Sequence, residues 1–144
     1  MQDLKSVTQI EVQVSHVDAF RHVNNARIME YLEMGRWDIM NLRGRREEYV
    51  RKRLAVPVAS MQVNFRMPAR LGQLLDIVTT LQSVKANSFV LKQLVQCRQS
   101  KQVVAEATVT SVIFDAAKGV VVPALEIIEA LVGLPQAEMS EVLA

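Results

Sequence analysis

The chain has 144 residues, half of them apolar and 22% charged, with a formal net charge of +2. That length allows one domain with a sizeable core, and so small a charge leaves no electrostatic footprint for nucleic acid. A lone cysteine, Cys97, excludes an internal disulfide and any multi-cysteine zinc or iron–sulfur site. The longest apolar runs, GVVVPAL and LAVPVA, are too short to span a bilayer. The opening MQDLKSVTQIEVQ lacks the basic-then-apolar layout of a signal peptide, so a cytoplasmic protein with no membrane partner is expected.

In chain order, Ile10, Val12 and Val14 alternate with Glu11, Gln13 and Ser15, the period of a half-buried strand. From Asn24 the period changes. Ile28, Leu32, Gly35, Ile39 and Leu42 recur at helical spacing, and Met29, Trp37 and Met40 widen the apolar stripe. Gly44 is placed to stop that helix. Gly35 lowers helix propensity inside the stripe, so a close neighbour is expected there. REEYVRKRL reads as a short helix or an ordered loop. Arg43, Arg45, Arg46, Arg51, Lys52 and Arg53 crowd this segment, either as a solvated face or as a docking surface for an anion.

Strands follow. Met61, Val63, Phe65 and Met67 alternate with polar residues until Pro68. Residues 74–84, 89–97 and 103–113 read as three more, divided by the turn signals KANS and RQSK and closed by FDAAKG. Pro123 opens a last helix, expected to run to about Leu131. The short connections require antiparallel pairing. The expected fold is therefore α+β, one long helix against a curved antiparallel sheet of about five strands. No linker or repeat marks a boundary, so 1–144 is read as a single domain. The sheet edges need a partner or a cover, and pairing of two chains edge to edge would supply one.

The chemistry concentrates in SHVDAFRHVNNAR, residues 15–27. His16, Asp18 and His22 are potential metal ligands, but no further histidine, CxxC or HExxH completes a site, and no metal or cofactor is expected. Asn24 or Asn25 is a good N-cap. An aspartate just before a covered helix lies near free backbone amides, which can polarise a carbonyl as charge develops on its oxygen. Such donors are worth about 2.7–4 kcal/mol each in the barrier. A carboxylate beside them is half of an acyl-transfer site, as nucleophile or as general base. No GxSxG offers a rival nucleophile, and Cys97 reads as a small core residue.

VSHVDAFRHVNNARIMEYLEMGRWDIM resembles the signature of hot-dog-fold acyl thioesterases of the 4-hydroxybenzoyl-CoA thioesterase type, an Asp-x-Asp-x-x-Gly-His-Val-Asn-Asn-like run followed by a helix with Glu-x-x-Arg. NFRMPARLGQLLDIVTTL and FDAAKGVVVPALEIIEAL continue the likeness over nearly the whole chain. The resemblance implies a hot-dog fold, a homodimer or homotetramer, and hydrolysis of an acyl-CoA or acyl-carrier-protein thioester. It implies Asp18 as the catalytic carboxylate, His22 near the thioester, and Asn24 and Asn25 at the helix start, with the carbonyl-polarising amide near Asn25. It matches Glu33 and Arg36 to the Glu-x-x-Arg, expected as an i,i+3 ion pair, and it puts Ser88 near the pantetheine or nucleotide.

His16 departs from the family's first acid, Phe20 from an asparagine, Arg21 from a glycine, Ile28 from a common tyrosine and Gln73 from an acid. Arg21 is expected to bind a phosphate or carboxylate, to keep Asp18 ionised, or simply to point to solvent. Met29, Met34, Met40, Met61 and Met67 are candidates to line an acyl tunnel, with ordinary core packing expected for most of them. A non-catalytic acyl-thioester binding module and a dehydratase or hydratase are the alternatives on the same fold.

Overall fold

A computed structural model describes residues 4–42, 46–125 and 128. The order is β1 (Lys5–Glu11), α1 (Asn25–Met40), α2 (Arg46–Arg51), β2 (Leu54–Ala55), β3 (Val58–Phe65), β4 (Leu74–Val84), β5 (Phe89–Cys97), β6 (Val103–Ser111), β7 (Ile113–Asp115) and β8 (Val120–Val122). Five strands form one antiparallel sheet in the order β1-β4-β5-β6-β3, and β2, β7 and β8 make a small second sheet. Register shifts interrupt β4 against β5, β5 against β6, and β3 against β6. Each extra residue bends its strand and raises the local twist, and the sheet curves around α1. This is the hot-dog arrangement that the resemblance implied.

The helix packs on β1, β4 and β5. Ile28, Leu32, Gly35 and Ile39 are buried on the predicted stripe, joined by Tyr31 and Met40. Gly35 has the expected close neighbours. A Cβ there would lie 2.7 Å from Ile77 Cγ2, 2.7 Å from Thr79 Oγ1 and 3.0 Å from Gln93 Nε2. Gln93, 3% exposed, uses this close approach: its amide nitrogen donates to the Leu32 carbonyl (2.8 Å) and to Thr79 Oγ1 (3.0 Å). Its Oε1 accepts from the Arg36 guanidinium at 3.1 Å. A buried amide with all three bonds made costs little and fixes helix against sheet. Thr8 likewise donates to the Asp38 carboxylate, linking β1 to the helix.

Several expectations need correction. Val14 does not continue the first strand. It is exposed, in a single 3-10 turn at Val14–His16, because the chain leaves the sheet after Val12. Leu42 lies past the end of α1 and is exposed, and Trp37 is half exposed. Glu33 and Arg36 do not form the expected ion pair among the described residues. Arg36 turns instead to Gln93, a partner no helix spacing can reveal. The strand expected over 103–113 breaks at Val112, whose amide donates to the Pro57 carbonyl, so Ile113 starts a strand of the second sheet. Gly44, Arg43, Arg45 and most of the helix expected after Pro123 lie outside the described residues.

Candidate active site

The groove at the start of α1 is built by backbone pairing between two distant segments. The Val23 amide donates to the Ala69 carbonyl (2.8 Å), His22 bridges to Arg70, and the Arg66 amide donates to the Val104 carbonyl (2.8 Å). The first two pairings set the loop before the helix against the stretch that follows β3, and the third ties that stretch to β6. Between them opens a groove of about 480 Å³. Asp18, His22, Asn24 and Asn25 all line it, with Ile28, Phe65, Met67 and Val104 as apolar wall. The four residues that sequence reasoning put in catalysis are therefore brought together.

Asp18 is held by its own loop. Its Oδ1 accepts from the amides of Phe20 (2.9 Å) and His22 (3.1 Å), and its amide donates to the His22 carbonyl (2.9 Å). Two amide donors on one oxygen fix the orientation of the carboxylate, and Oδ2 has no acceptor duty toward any described residue. The helix start shows which amide stays open. Asn24 is the N-cap, with Oδ1 accepting from the Ala26 amide (2.8 Å), and its carbonyl accepts from Arg27 and Ile28. The Asn24 amide donates to the His16 carbonyl (3.1 Å). Asn25 is the remaining first-turn residue, and its amide has no acceptor among the described residues. An unsatisfied amide at a helix start, lining the same groove as a fixed carboxylate, is free to donate to a ligand's oxygen.

His16 does not face that chemistry. Its Nδ1 accepts from the Gln13 amide (3.2 Å), so the 2.7 Å contact with Tyr31 has the phenol as donor. The two rings meet edge to face, 5.4 Å between centroids. Burial pushes the Tyr31 phenol up to about 12. His16 is thus a strut between loop and helix, which sequence reasoning missed; the only signal was a polar side chain, Tyr31, inside an apolar stripe. Among the described residues no three His, Cys, Asp or Glu side chains gather as a metal site.

Arg21 and Ser88 stand apart from the groove. Arg21 is exposed with φ +62°, the left-handed region that glycine takes freely, and this explains why a glycine is usual there. Ser88 is in the turn between β4 and β5, where its carbonyl accepts from the Lys85 amide. The next residue, Phe89, pairs with Ser111, whereas Val104 lines the groove, so Ser88 is roughly 23 Å of strand away within one chain. Of the methionines, Met67 lines this groove, Met40 is buried in the core, Met29 and Met61 are half-buried and Met34 is exposed.

A second groove, of about 440 Å³, lies at the other end of α1 and shares no residue with the first. Its walls are mostly apolar, and Arg36 and Arg46 reach it. Among the described residues no helix is long and apolar enough to cross a membrane.

Comparison with known proteins agrees with this geometry. The long-chain acyl-CoA thioesterase FadM of Escherichia coli (strain K12) is 38% identical over 108 residues, covering 75% of this chain and 82% of FadM. The crystal structure of YbaW, a probable thioesterase from Escherichia coli, superposes with a TM-score of 0.77 at 34% identity, covering 88% of this chain and 98% of that one. A 4-hydroxybenzoyl-CoA thioesterase bound to 4-hydroxybenzoyl-CoA shares the fold, with a TM-score of 0.76 at 19% identity and coverage of 88% and 98%. Residues 12–143 match the family model described as the thioesterase-like superfamily, and the chain belongs to that family.

Proposed function

We propose that this protein hydrolyses acyl-CoA thioesters to a free acid and coenzyme A, with Asp18 as the catalytic carboxylate. The observation that carries the reading is the pairing of a carboxylate fixed through Oδ1 with an open Asn25 amide in one groove wall. The thioester carbonyl accepts from that amide. Asp18 Oδ2 either takes a proton from an attacking water or attacks the carbonyl carbon itself, and the thiolate leaves. On the second route a water then cleaves the mixed anhydride at the acyl carbon and restores the Asp18 carboxylate, so either route ends with water's oxygen in the acid and a proton from water on the thiol. His22, half-buried in the same wall, positions water or substrate. The named substrate of FadM makes long acyl chains the first to test, and carrier-protein thioesters are the alternative donor.

Arg21 and Ser88 are proposed as contacts for the donor's anionic or pantetheine portion. The proposed unit is one domain over 1–144, set in the cytoplasm and assembled as a homodimer or homotetramer. Support for assembly comes from β3, which among the described residues pairs with β6 on one side only and carries Val58 and Phe65 exposed.

The test is thiol release from acyl-CoAs of graded chain length and from an acyl carrier thioester, for wild type and Asp18→Asn. The amide keeps an oxygen for the Phe20 and His22 amides, so the loop is retained while the base is lost. A fall in kcat of about 100-fold or more is expected. Unchanged turnover removes Asp18 from the mechanism, and ligand binding without any thiol release turns the reading to a binding module.

A further inference from the structure

The loop that carries Asp18 stands on two feet, His16 and Asn24. The Asn24 amide donates to the His16 carbonyl at 3.1 Å, Val17 bridges to Val23, and the Asp18 amide donates to the His22 carbonyl at 2.9 Å. These bonds close residues 16–24 into one unit that holds Asp18, with the open Asn25 amide beside its second foot. Backbone ties then fasten the unit to the stretch after β3: the Val23 amide to the Ala69 carbonyl, the bridge from His22 to Arg70, and the Leu71 amide to the Arg21 carbonyl. None of these reaches the helix. Asn24 caps the Ala26 amide in the first turn of α1, and the ring of His16 goes further in, to Tyr31. Tyr31 is 2% exposed and packed in the core, so it is a fixed reference point. Among the described residues, this is the one hydrogen bond from residues 13–23 to α1 beyond its first turn. The ring is itself held, because Nδ1 accepts from the Gln13 amide at 3.2 Å as well as from the phenol at 2.7 Å.

We infer that His16 is a positioning residue for the hydrolysis: through its Nδ1 and its carbonyl it sets the Asp18 loop and the Asn25 amide in register with Tyr31. This rests on the reading that Asp18 and the Asn25 amide work on one thioester. Two groups that act on the same carbonyl must be held in a common frame, and a misplacement of about 1 Å can cost about 100-fold in rate. His16 touches neither the substrate nor the reacting atoms; it acts through the loop it anchors. The acceptor has to stand at the Nδ1 position, directly bonded to Cγ, because both of its donors are fixed, one on the backbone and one on a packed ring. Asparagine puts an oxygen at that position, whereas the glutamine oxygen stands one bond further out.

The experiment measures kcat and KM for thiol release from dodecanoyl-CoA, and Tm, for the full chain as wild type, Tyr31→Phe, His16→Asn, His16→Gln and Thr8→Val. Thr8→Val is the stability control, since it cuts another side-chain tie of α1 to the sheet, the one to Asp38, away from the Asp18 groove. In Tyr31→Phe and His16→Gln, kcat is expected to fall by about tenfold or more with KM within about twofold of wild type. His16→Asn is expected to restore kcat to within about threefold of wild type, because its oxygen meets the same two donors. Thr8→Val is expected to lower Tm and leave kcat in place. If the bond served only to satisfy a buried phenol, Tyr31→Phe would remove the need and keep kcat, and that result overturns the inference. Equal turnover in His16→Asn and His16→Gln also overturns it, as does a fall in Thr8→Val as large as that in Tyr31→Phe. The two readings fail differently. No thiol release from wild type refutes the reaction and the inference with it, whereas release undiminished in both Tyr31→Phe and His16→Gln refutes the inference alone.

Discussion

Replacing Gly35 by alanine tests how tightly α1 is set against the sheet. Two opposing effects act. Alanine favours an exposed helix interior over glycine by about 1 kcal/mol. Here, however, the added methyl would lie 2.7 Å from both Ile77 Cγ2 and Thr79 Oγ1 and 3.0 Å from Gln93 Nε2. Thr79 and Gln93 are 0% and 3% exposed, so neither has free space into which to move. Overpacking a tight core costs roughly 1–3 kcal/mol. Moving Gln93 also breaks its bonds to the Leu32 carbonyl, Thr79 and Arg36, and leaving buried polar groups unpaired adds about 1–3 kcal/mol. After the propensity gain the net loss is about 2–4 kcal/mol, taking the midpoints of the two costs as a guide. For a chain of this size that lowers Tm by roughly 6–12 °C. Thermal and urea unfolding of Gly35→Ala measure it. A Tm equal to or above wild type would refute the close-packing argument, because only the helix-propensity gain would then be acting.

Three other outcomes follow from the loop and its strut. Tyr31 has its phenol raised to about 12 in the folded chain, above the ordinary value of 10.0. Its contribution is therefore complete below pH 10 and is lost as pH rises toward 12, an alkaline fall of about 2–3 kcal/mol. Tyr31→Phe should flatten that fall in urea titrations at pH 9–12 while costing about 1 kcal/mol at neutral pH; an unchanged alkaline slope contradicts the strut. Arg21→Gly relieves a left-handed φ worth about 1–2 kcal/mol, less the greater unfolded-state freedom of glycine, for a net gain of about 0.5–1 kcal/mol. Its KM for acyl-CoA should rise if the guanidinium contacts the donor, and an unmoved KM removes Arg21 from binding. Asn24→Ala removes the cap on the Ala26 amide and should cost about 1 kcal/mol by urea midpoint; no loss would mean that water replaces the cap.

Local pattern determined much of this protein. The change of period at Asn24, the alternation through β3 to β6, and the turn signals between them are short-range features of side-chain spacing. They specify helix, strands and antiparallel pairing without knowledge of neighbours. The Asp18–Asn25 run was likewise readable, because a cap and a carboxylate at a helix start are sequence-adjacent and their geometry follows from a few dihedrals. What spacing cannot carry is contact across the fold. The Gln93–Arg36 bond joins positions 57 apart in sequence and displaced the expected Glu33–Arg36 pair. His16 looked like a ligand until Tyr31, 15 positions on, met it. The break at Val112 came from a bond to Pro57, and Ser88 fell far from Asp18 because the turn that holds it closes the opposite end of the sheet. Each of these depends on which surfaces meet when the sheet curves around α1, and burial then decides which polar partner a side chain must take.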